Sequence, residues 1–459
     1  MITTRKAIHL ANRLNGRLIE PNDTDYDPAR SVWNGMIDKK PALIARCRDA
    51  ADVVQAVNFA RKNNQLIAVR GGGHNIAGHG VCDDGLVIDL SKQRTVRVDP
   101  DARKAVVEPG ATWADLDAET QRFGLAVPGG LVSSTGVAGL TLGGGFGWLS
   151  RKFGLTCDSL TAAEVVTAEG RMLRVSDTEH TDLFWALRGG GGNFGVVTAF
   201  EFDLHEVGPQ VLSGKLFYRL EDAPAVLRNY REALADIPDE LSCYVLFRQA
   251  PPAPFLPEEV HGQTILALVM CYAGDPEAGE RASRVFRDFG RPLADKVAPR
   301  AYTEFQQITD GKWQPGYRDY WKSDYLPGLS DEAIATMIRF ARELPTPMTD
   351  FKVPHFEGAI SRIPNSATAF PHRKAPFAIA INTRWEDSAD DEEHIAWTRR
   401  FIDAMQPFTT GGVYANFLGE EGRQRVRDAF GANYERLAAI KAQYDPDNFF
   451  CLNQNIQPA

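Results

Sequence analysis

At 459 residues the chain is too long for one compact core and predicts two substantial domains. Hydrophobic residues make up 44% and charged residues 24%, as in a soluble globular protein, and the net charge of −9 argues against a nucleic-acid binder, which needs a basic face. No apolar run approaches the roughly 20 residues that span a bilayer, and the first residues lack an apolar signal core, so a cytoplasmic protein with no membrane partner is expected. Six cysteines, at 47, 82, 157, 243, 271 and 451, form no CxxC pair and do not group with histidines at ligand spacing. Reduced, mostly buried thiols and no metal site follow.

In chain order, Ala51–Ala60 carries apolar residues at 53, 54, 57 and 60, the spacing of one helical face. Gln65–Val69 reads as a strand running into Arg70 and a glycine turn, and Gly85–Leu90, Ala105–Glu108 and Ala163–Thr167 read as further strands. Thr112 is placed to N-cap a helix that opens at Trp113. From about 207 to 410 strand-like runs, Thr264–Val269 and Phe377–Ile381, mix with amphipathic helices such as Ser330–Ile338. Asn433–Lys441 predicts a helix, and the polar tail Asn453-Gln454-Asn455-Ile456 predicts a segment that docks on something polar.

Three glycine-rich loops stand out: Gly71-Gly72-Gly73-His74, Gly143-Gly144-Gly145-Phe146-Gly147 and Gly189–Gly195. Glycine lets backbone N–H groups approach anionic oxygens closely, and three such loops within about 125 residues point to a large anionic cofactor. No Gly-Lys-Ser/Thr follows any of them, and the first lacks the GxGxxG spacing of the usual dinucleotide-binding turn.

Arg70-Gly71-Gly72-Gly73-His74-Asn75, Ser134–Gly139 leading to Gly147, and Arg188–Thr198 resemble the flavin-domain signatures of the vanillyl-alcohol-oxidase superfamily. Phe370-Pro371-His372-Arg373, Tyr444–Phe450 and Asn453–Ile456 resemble those of its berberine-bridge-enzyme-like branch. The resemblance runs from about residue 40 to 456. It implies an α+β fold: a two-subdomain FAD-binding domain over residues 1–206, an α+β substrate domain with an antiparallel sheet over 207–410, and a segment over 411–459 that returns to the FAD domain. It also implies that FAD is held by Arg70, Gly71, Gly72, Gly73, His74, Asn75 and Gly78 from the first signature. Gly130, Ser134, Thr135, Gly136, Gly139, Gly143, Gly144, Gly145 and Gly147 would hold it from the second, Asn193, Gly195, Val196 and Val197 from the third, and Asn453 and Asn455 from the tail.

In that family the residue at the His74 position bonds to the flavin 8α-methyl group. The position of a second, cysteinyl link is Val132 here, so a single covalent attachment is expected. Thr135 stands where relatives gate oxygen, which leaves oxidase and dehydrogenase both open. The positions of the family's usual bases hold Phe417 and Arg362, so Tyr414, Asn416, Glu357, Lys322 and Tyr320 become the candidates for positioning or proton transfer. Hydride loss from a neutral amine needs no strong base, whereas alcohol oxidation benefits from one. The expectation is an oxidase of a small amine or alkaloid-like substrate with dioxygen as acceptor. An alcohol, sugar or oligosaccharide oxidase or dehydrogenase is the alternative, as is a non-catalytic flavin-binding protein, and a homodimer is left open.

Overall fold

The computed structural model of the protein describes residues 4–459. The chain opens on a four-stranded sheet built from β1 (Arg17–Ile19), β2 (Leu43–Arg46), β3 (Ile67–Arg70) and β4 (Leu86–Asp89), in the order β1-β2-β4-β3. β2 and β3 both lie parallel to β4, and the helix Ala50–Lys62 makes the crossover between them. Asp49 caps that helix by accepting the N–H of Asp52, and Val53, Ala56, Val57 and Ala60 form its buried face, as the periodicity requires.

The next strands are β5 (Val96–Asp99), β6 (Lys104–Val107), β7 (Leu125–Ala126), β8 (Leu160–Val166), β9 (Met172–Ser176), β10 (Val196–Asp203) and β11 (His205–Glu206). Five of them make an antiparallel sheet in the order β5-β6-β10-β8-β9, while β7 and β11 pair separately. The helix Trp113–Thr120 starts in a capping box between Thr112 and Asp115.

β12 (Gln210–Arg219), β13 (Leu241–Gln249), β14 (Thr264–Tyr272), β15 (Ala294–Asp295), β16 (Ala298–Ala301), β17 (Arg318–Leu326), β18 (Asp350–Val353) and β19 (Phe377–Trp385) form one eight-stranded antiparallel sheet. Its long strands alternate between two faces. Val245, Phe247, Phe351, Ile379 and Ile381 pack against the helices Ala223–Ala233, Asp331–Ala341 and Asp391–Met405. Tyr244, Val269 and Cys271 pack on Trp148 and Leu149 of the glycine-rich part. Tyr244 donates its hydroxyl to the Gly147 carbonyl at 2.9 Å, and Ser242 donates to Trp148 O at 2.7 Å, so the sheet is pinned directly over the second glycine loop. The architecture is the expected α+β one with an antiparallel sheet. None of the helices in the described residues is long and apolar enough to cross a membrane.

The helix Tyr434–Tyr444 leaves the eight-stranded sheet behind and packs its Leu437, Ala438 and Tyr444 against Trp185 and Phe194. The polar tail after it docks on the third glycine loop. Asn193 donates its amide to Gln454 O at 3.1 Å and accepts the Ile456 N–H at 3.2 Å, and Asn453 donates to Gly192 O at 2.8 Å.

Candidate active site

The three glycine loops and the tail meet around a single elongated cavity. Gly72 and Gly136 lie backbone on backbone: a Cβ on Gly72 would stand 2.5 Å from Gly136 N, and one on Gly136 would stand 2.6 Å from Gly72 N. The Gly191 N–H donates to Leu142 O at 2.9 Å, tying the third loop to the second. Gly72→Ala is therefore expected to force the first two loops apart and leave the purified protein with less than half the bound flavin of the parent, read as the ratio of flavin to protein absorbance.

His74 lies at this cavity with its ring stacked on Trp33, centroids 5.2 Å apart and planes 21° apart. Its Nε2 is 3.1 Å from Ser134 Oγ, and Nδ1 has no hydrogen-bond partner among the described residues. Trp33 is itself fixed, its backbone N–H donating to Gly73 O at 3.0 Å and its indole N–H to Trp313 O at 3.1 Å. Burial, assisted by the positive charge of Arg384, pushes the His74 imidazole down to about 4, so the ring is neutral at pH 7. A neutral imidazole with one nitrogen engaged and the other free is the form that can act as a nucleophile.

The donor chemistry of the walls fits FAD. Arg70 donates one guanidinium nitrogen to Ala29 O, yet its buried Nε has no partner, and the buried Nε2 of His79 is also unpaired; both residues line the cavity. A Cβ on Gly139 would meet no atom within 4 Å, so this backbone faces open space where a cofactor can approach. Unpaired donors beside exposed backbone amides are what a pyrophosphate requires.

Of the residues the sequence offered for FAD, Arg70 through Asn75, Gly130, Thr135, Gly136, Gly139, Gly143, Asn193, Gly195, Val196, Val197 and Asn453 line this cavity, as does Val132. Others do not reach its wall, and the reason is visible in each case. Gly78 packs on Ile37, Gly144 at φ +106° on Phe370, and Gly145 at φ +77° on Thr156, while Gly147 lies under the Gly129 carbonyl. Their missing side chains make room for the fold. Ser134 meets His74 through its hydroxyl, and Asn455 is half-buried in the tail with a buried, unpaired Oδ1.

The catalytic candidates divide. Tyr414 and Asn416 are at the cavity, where the Tyr414 hydroxyl accepts from the Gly145 N–H at 3.2 Å and from the Asn416 amide at 2.9 Å. Burial holds the Tyr414 phenol well above its ordinary range, so it is a hydrogen-bond donor and a poor base. Tyr320, Lys322 and Glu357 are not at the cavity. Strand alternation turns Trp321 towards it and Tyr320 and Lys322 away; Tyr320 accepts from Arg399, and Lys322 pairs with Glu421 at 2.6 Å. Glu357 is half-exposed and bound to His355 Nε2 at 2.8 Å, a contact that holds its carboxyl below the usual range. Arg362 pairs with Asp239 away from the cavity, whereas Phe417 lines it.

The sequence reading missed Trp33, Trp313, Trp321 and Lys352, which complete the cavity wall, and Arg384 behind them. The polar-apolar alternation Asp350-Phe351-Lys352-Val353 was the available signal for a strand with Lys352 on its polar face. Cys157 is fully buried beside Phe146 and Tyr325 in the core, and no carboxylate lines the cavity.

Residues 41–176 match the FAD binding domain family, and residues 413–457 match the berberine and berberine-like family. An FAD-linked oxidoreductase of Dictyostelium discoideum is 32% identical over 430 residues, covering 93% of this chain and 91% of that protein. (R)-6-hydroxynicotine oxidase of Paenarthrobacter nicotinovorans is 31% identical over 462 residues, covering 97% of each. The crystal structure of 6-hydroxy-D-nicotine oxidase from Arthrobacter nicotinovorans superposes with a TM-score of 0.89 at 28% identity, covering 100% of both chains. The two family matches, and relatives at 31–32% identity over 93–97% of the chain, place it in the berberine-bridge-enzyme-like family of FAD-linked oxidoreductases.

Proposed function

We propose that the protein carries FAD on His74 through a single 8α-histidyl bond and oxidises a small organic amine or alkaloid-like substrate, with dioxygen as acceptor. When bound, FAD supplies a two-electron acceptor that takes a hydride equivalent and returns it to dioxygen as hydrogen peroxide. The observation that carries the covalent reading is the neutral His74 ring, clamped between Trp33 and Ser134 with Nδ1 unpaired. Val132, an apolar side chain packed near Trp33, Ile76 and Trp313, offers no sulfur for a second bond.

The chain's own residues then bind and orient. Trp313, Trp321 and Phe417 wall the substrate end and exclude water, and Tyr414 offers a phenol proton that has no acceptor among the described residues. No carboxylate or cavity-facing histidine with an ordinary pKa is present to act as a base, which supports a substrate that reacts as a neutral amine. The same relation supports the amine over the alcohol: (R)-6-hydroxynicotine oxidase is a relative over the full chain. Free thiols at all six cysteines agree with a reducing, cytoplasmic setting.

Stopped-flow reduction under anaerobic conditions, with panels of secondary amines, primary alcohols and oligosaccharides, tests this reading. Amines are expected to bleach the oxidised flavin band fastest, with a rate that rises as the substrate ammonium loses its proton and no added ionisation from the enzyme. Reduction by alcohols or oligosaccharides alone, or by dithionite alone, would overturn it.

A further inference from the structure

The helix Trp113–Thr120 and the short helix Tyr302–Gln306 pack together where the glycine-rich part meets the eight-stranded sheet. Both hold the segment Gly130–Thr135, whose Gly130, Leu131, Val132 and Thr135 line the cavity and whose Ser134 meets His74. The first helix donates Ala114 N to Ser133 O at 2.8 Å and Trp113 N to Thr135 O at 3.0 Å. Residues 306–310 supply the other ties. Gln306 Nε2 donates to Gly130 O at 3.4 Å, Thr309 Oγ1 donates to Leu131 O at 2.7 Å, and Asp310 accepts the Ser133 N–H at 3.0 Å.

Asp117 and Gln306 link the two helices directly, Gln306 Nε2 donating to Asp117 Oδ2 at 3.1 Å. That nitrogen faces two acceptors, so the amide orientation is fixed: turned over, its oxygen would oppose a carboxyl and a carbonyl. Two oxygens are left over. Asp117 Oδ1 and Gln306 Oε1 are both closed to solvent, and neither has a donor among the described residues. Buried acceptors without donors are rare in folded proteins. A proton on Oδ1 removes both faults. A planar acid and a planar amide that already share one hydrogen bond close a second, from O–H to Oε1, with a small turn of either side chain. Burial raises the Asp117 carboxyl to about 7, in keeping with a retained proton.

We propose that Asp117 is held as a neutral carboxylic acid and forms with Gln306 a positioning pair for the Gly130–Thr135 wall of the flavin cavity. Loss of the proton breaks one of the two bonds and sets a carboxylate against the Gln306 oxygen, so the wall loosens and shifts Ser134 against His74. This rests on the reading of the cavity as the flavin site and adds how its wall is held. The titratable side chain facing Asp117 is Tyr302, a phenol that burial keeps neutral. Arg122 shares the small outer cavity beside Asp117 and is paired with Glu119 at 3.0 Å. The other charges on the packed elements have partners of their own, Asp115 in Arg94, Glu304 in Arg300 and Asp310 in Ser133. The folded state raises the Asp117 carboxyl, so its contribution is complete in acid and is lost as the pH climbs through about 7.

The test titrates the holoenzyme between roughly pH 5 and 9, reading flavin circular dichroism and the infrared carbonyl stretch of carboxylic acids. One acid band is expected to vanish with a midpoint near 7, and the flavin signal to step with it. Asp117→Asn keeps a neutral reciprocal pair with Gln306. It should lose both the band and the step and show the low-pH flavin signal throughout. Asp319, which burial also raises to about 7, is the control: Asp319→Asn should leave the step in place. If Asp117→Asn yields no folded flavoprotein, Gln306→Met serves, and should shift the midpoint while altering the flavin signal at every pH. The proposal is overturned if no acid band titrates, if the step survives Asp117→Asn or disappears in Asp319→Asn, or if the band titrates while the flavin signal stays flat. A parent protein that purifies without flavin would instead sink the flavin-site reading, and the infrared band would still decide the state of Asp117.

Discussion

Replacing His74 with alanine is expected to free the flavin from the polypeptide. After acid precipitation the parent pellet should stay yellow and the intact mass should exceed the sequence mass by one FAD. The His74→Ala pellet should be colourless, with all flavin in the supernatant. Ser134→Ala should slow attachment without abolishing it, because Ser134 Oγ engages Nε2 while Nδ1 remains available. A fall in kcat on the order of tenfold for His74→Ala would amount to about 1.4 kcal/mol of lost transition-state stabilisation. Flavin in the supernatant of the parent protein would end the covalent reading.

The largest stability effect is expected at Lys441, far from the reacting end. Its fully buried ammonium donates to Asn193 O at 2.6 Å, to Phe450 O at 3.0 Å and to Asp445 Oδ2 at 2.6 Å. Asp445 in turn accepts the N–H groups of Phe449 and Phe450 at 2.7 and 2.9 Å. The ammonium and both carboxylate oxygens at this junction have partners, and the junction ties the third glycine loop to the approach to the tail. Lys441→Met leaves the Asp445 carboxylate buried without its cation, and removing one partner of a buried pair costs about 3–5 kcal/mol. Urea unfolding should show that loss, together with weaker flavin retention. The double variant Lys441→Met/Asp445→Asn should recover a substantial part of it, because no uncompensated charge remains. A single variant as stable as the parent would show that the junction does not hold the tail.

The glycine loops that wall the cavity were legible in the sequence to a far greater degree than its aromatic end. Glycine loops announce themselves locally, since the residue that permits close backbone approach is the residue that is written. The helix at Ala50–Lys62, the Thr112 cap and the strand running into Arg70 were likewise encoded within a few residues of themselves. Which glycines line the cavity and which merely make room was not, because Gly144, Gly145 and Gly147 pack against Phe370, Thr156 and Gly129, contacts set by the tertiary fold. Tyr320 and Lys322 failed for a related reason: in a strand buried on both sides, the sequence gives the alternation but not the face. Trp33 and Arg384 meet across some 350 residues of chain, and no local pattern links them.

The tail contact has a further consequence for how the molecule is made. Asn193 and Gln454 are 261 positions apart, and the whole eight-stranded sheet is encoded between them. During synthesis, at roughly 5–20 residues per second, the first two glycine loops emerge well before the segment that closes the third. The cavity therefore lacks its closing tail on the nascent chain until the large sheet has been translated, and FAD capture is expected to be a late event. A premature stop after the large sheet would strip Leu437, Ala438, Tyr444 and Ile456 from the core around Trp185 and Phe194 and is expected to yield a colourless protein.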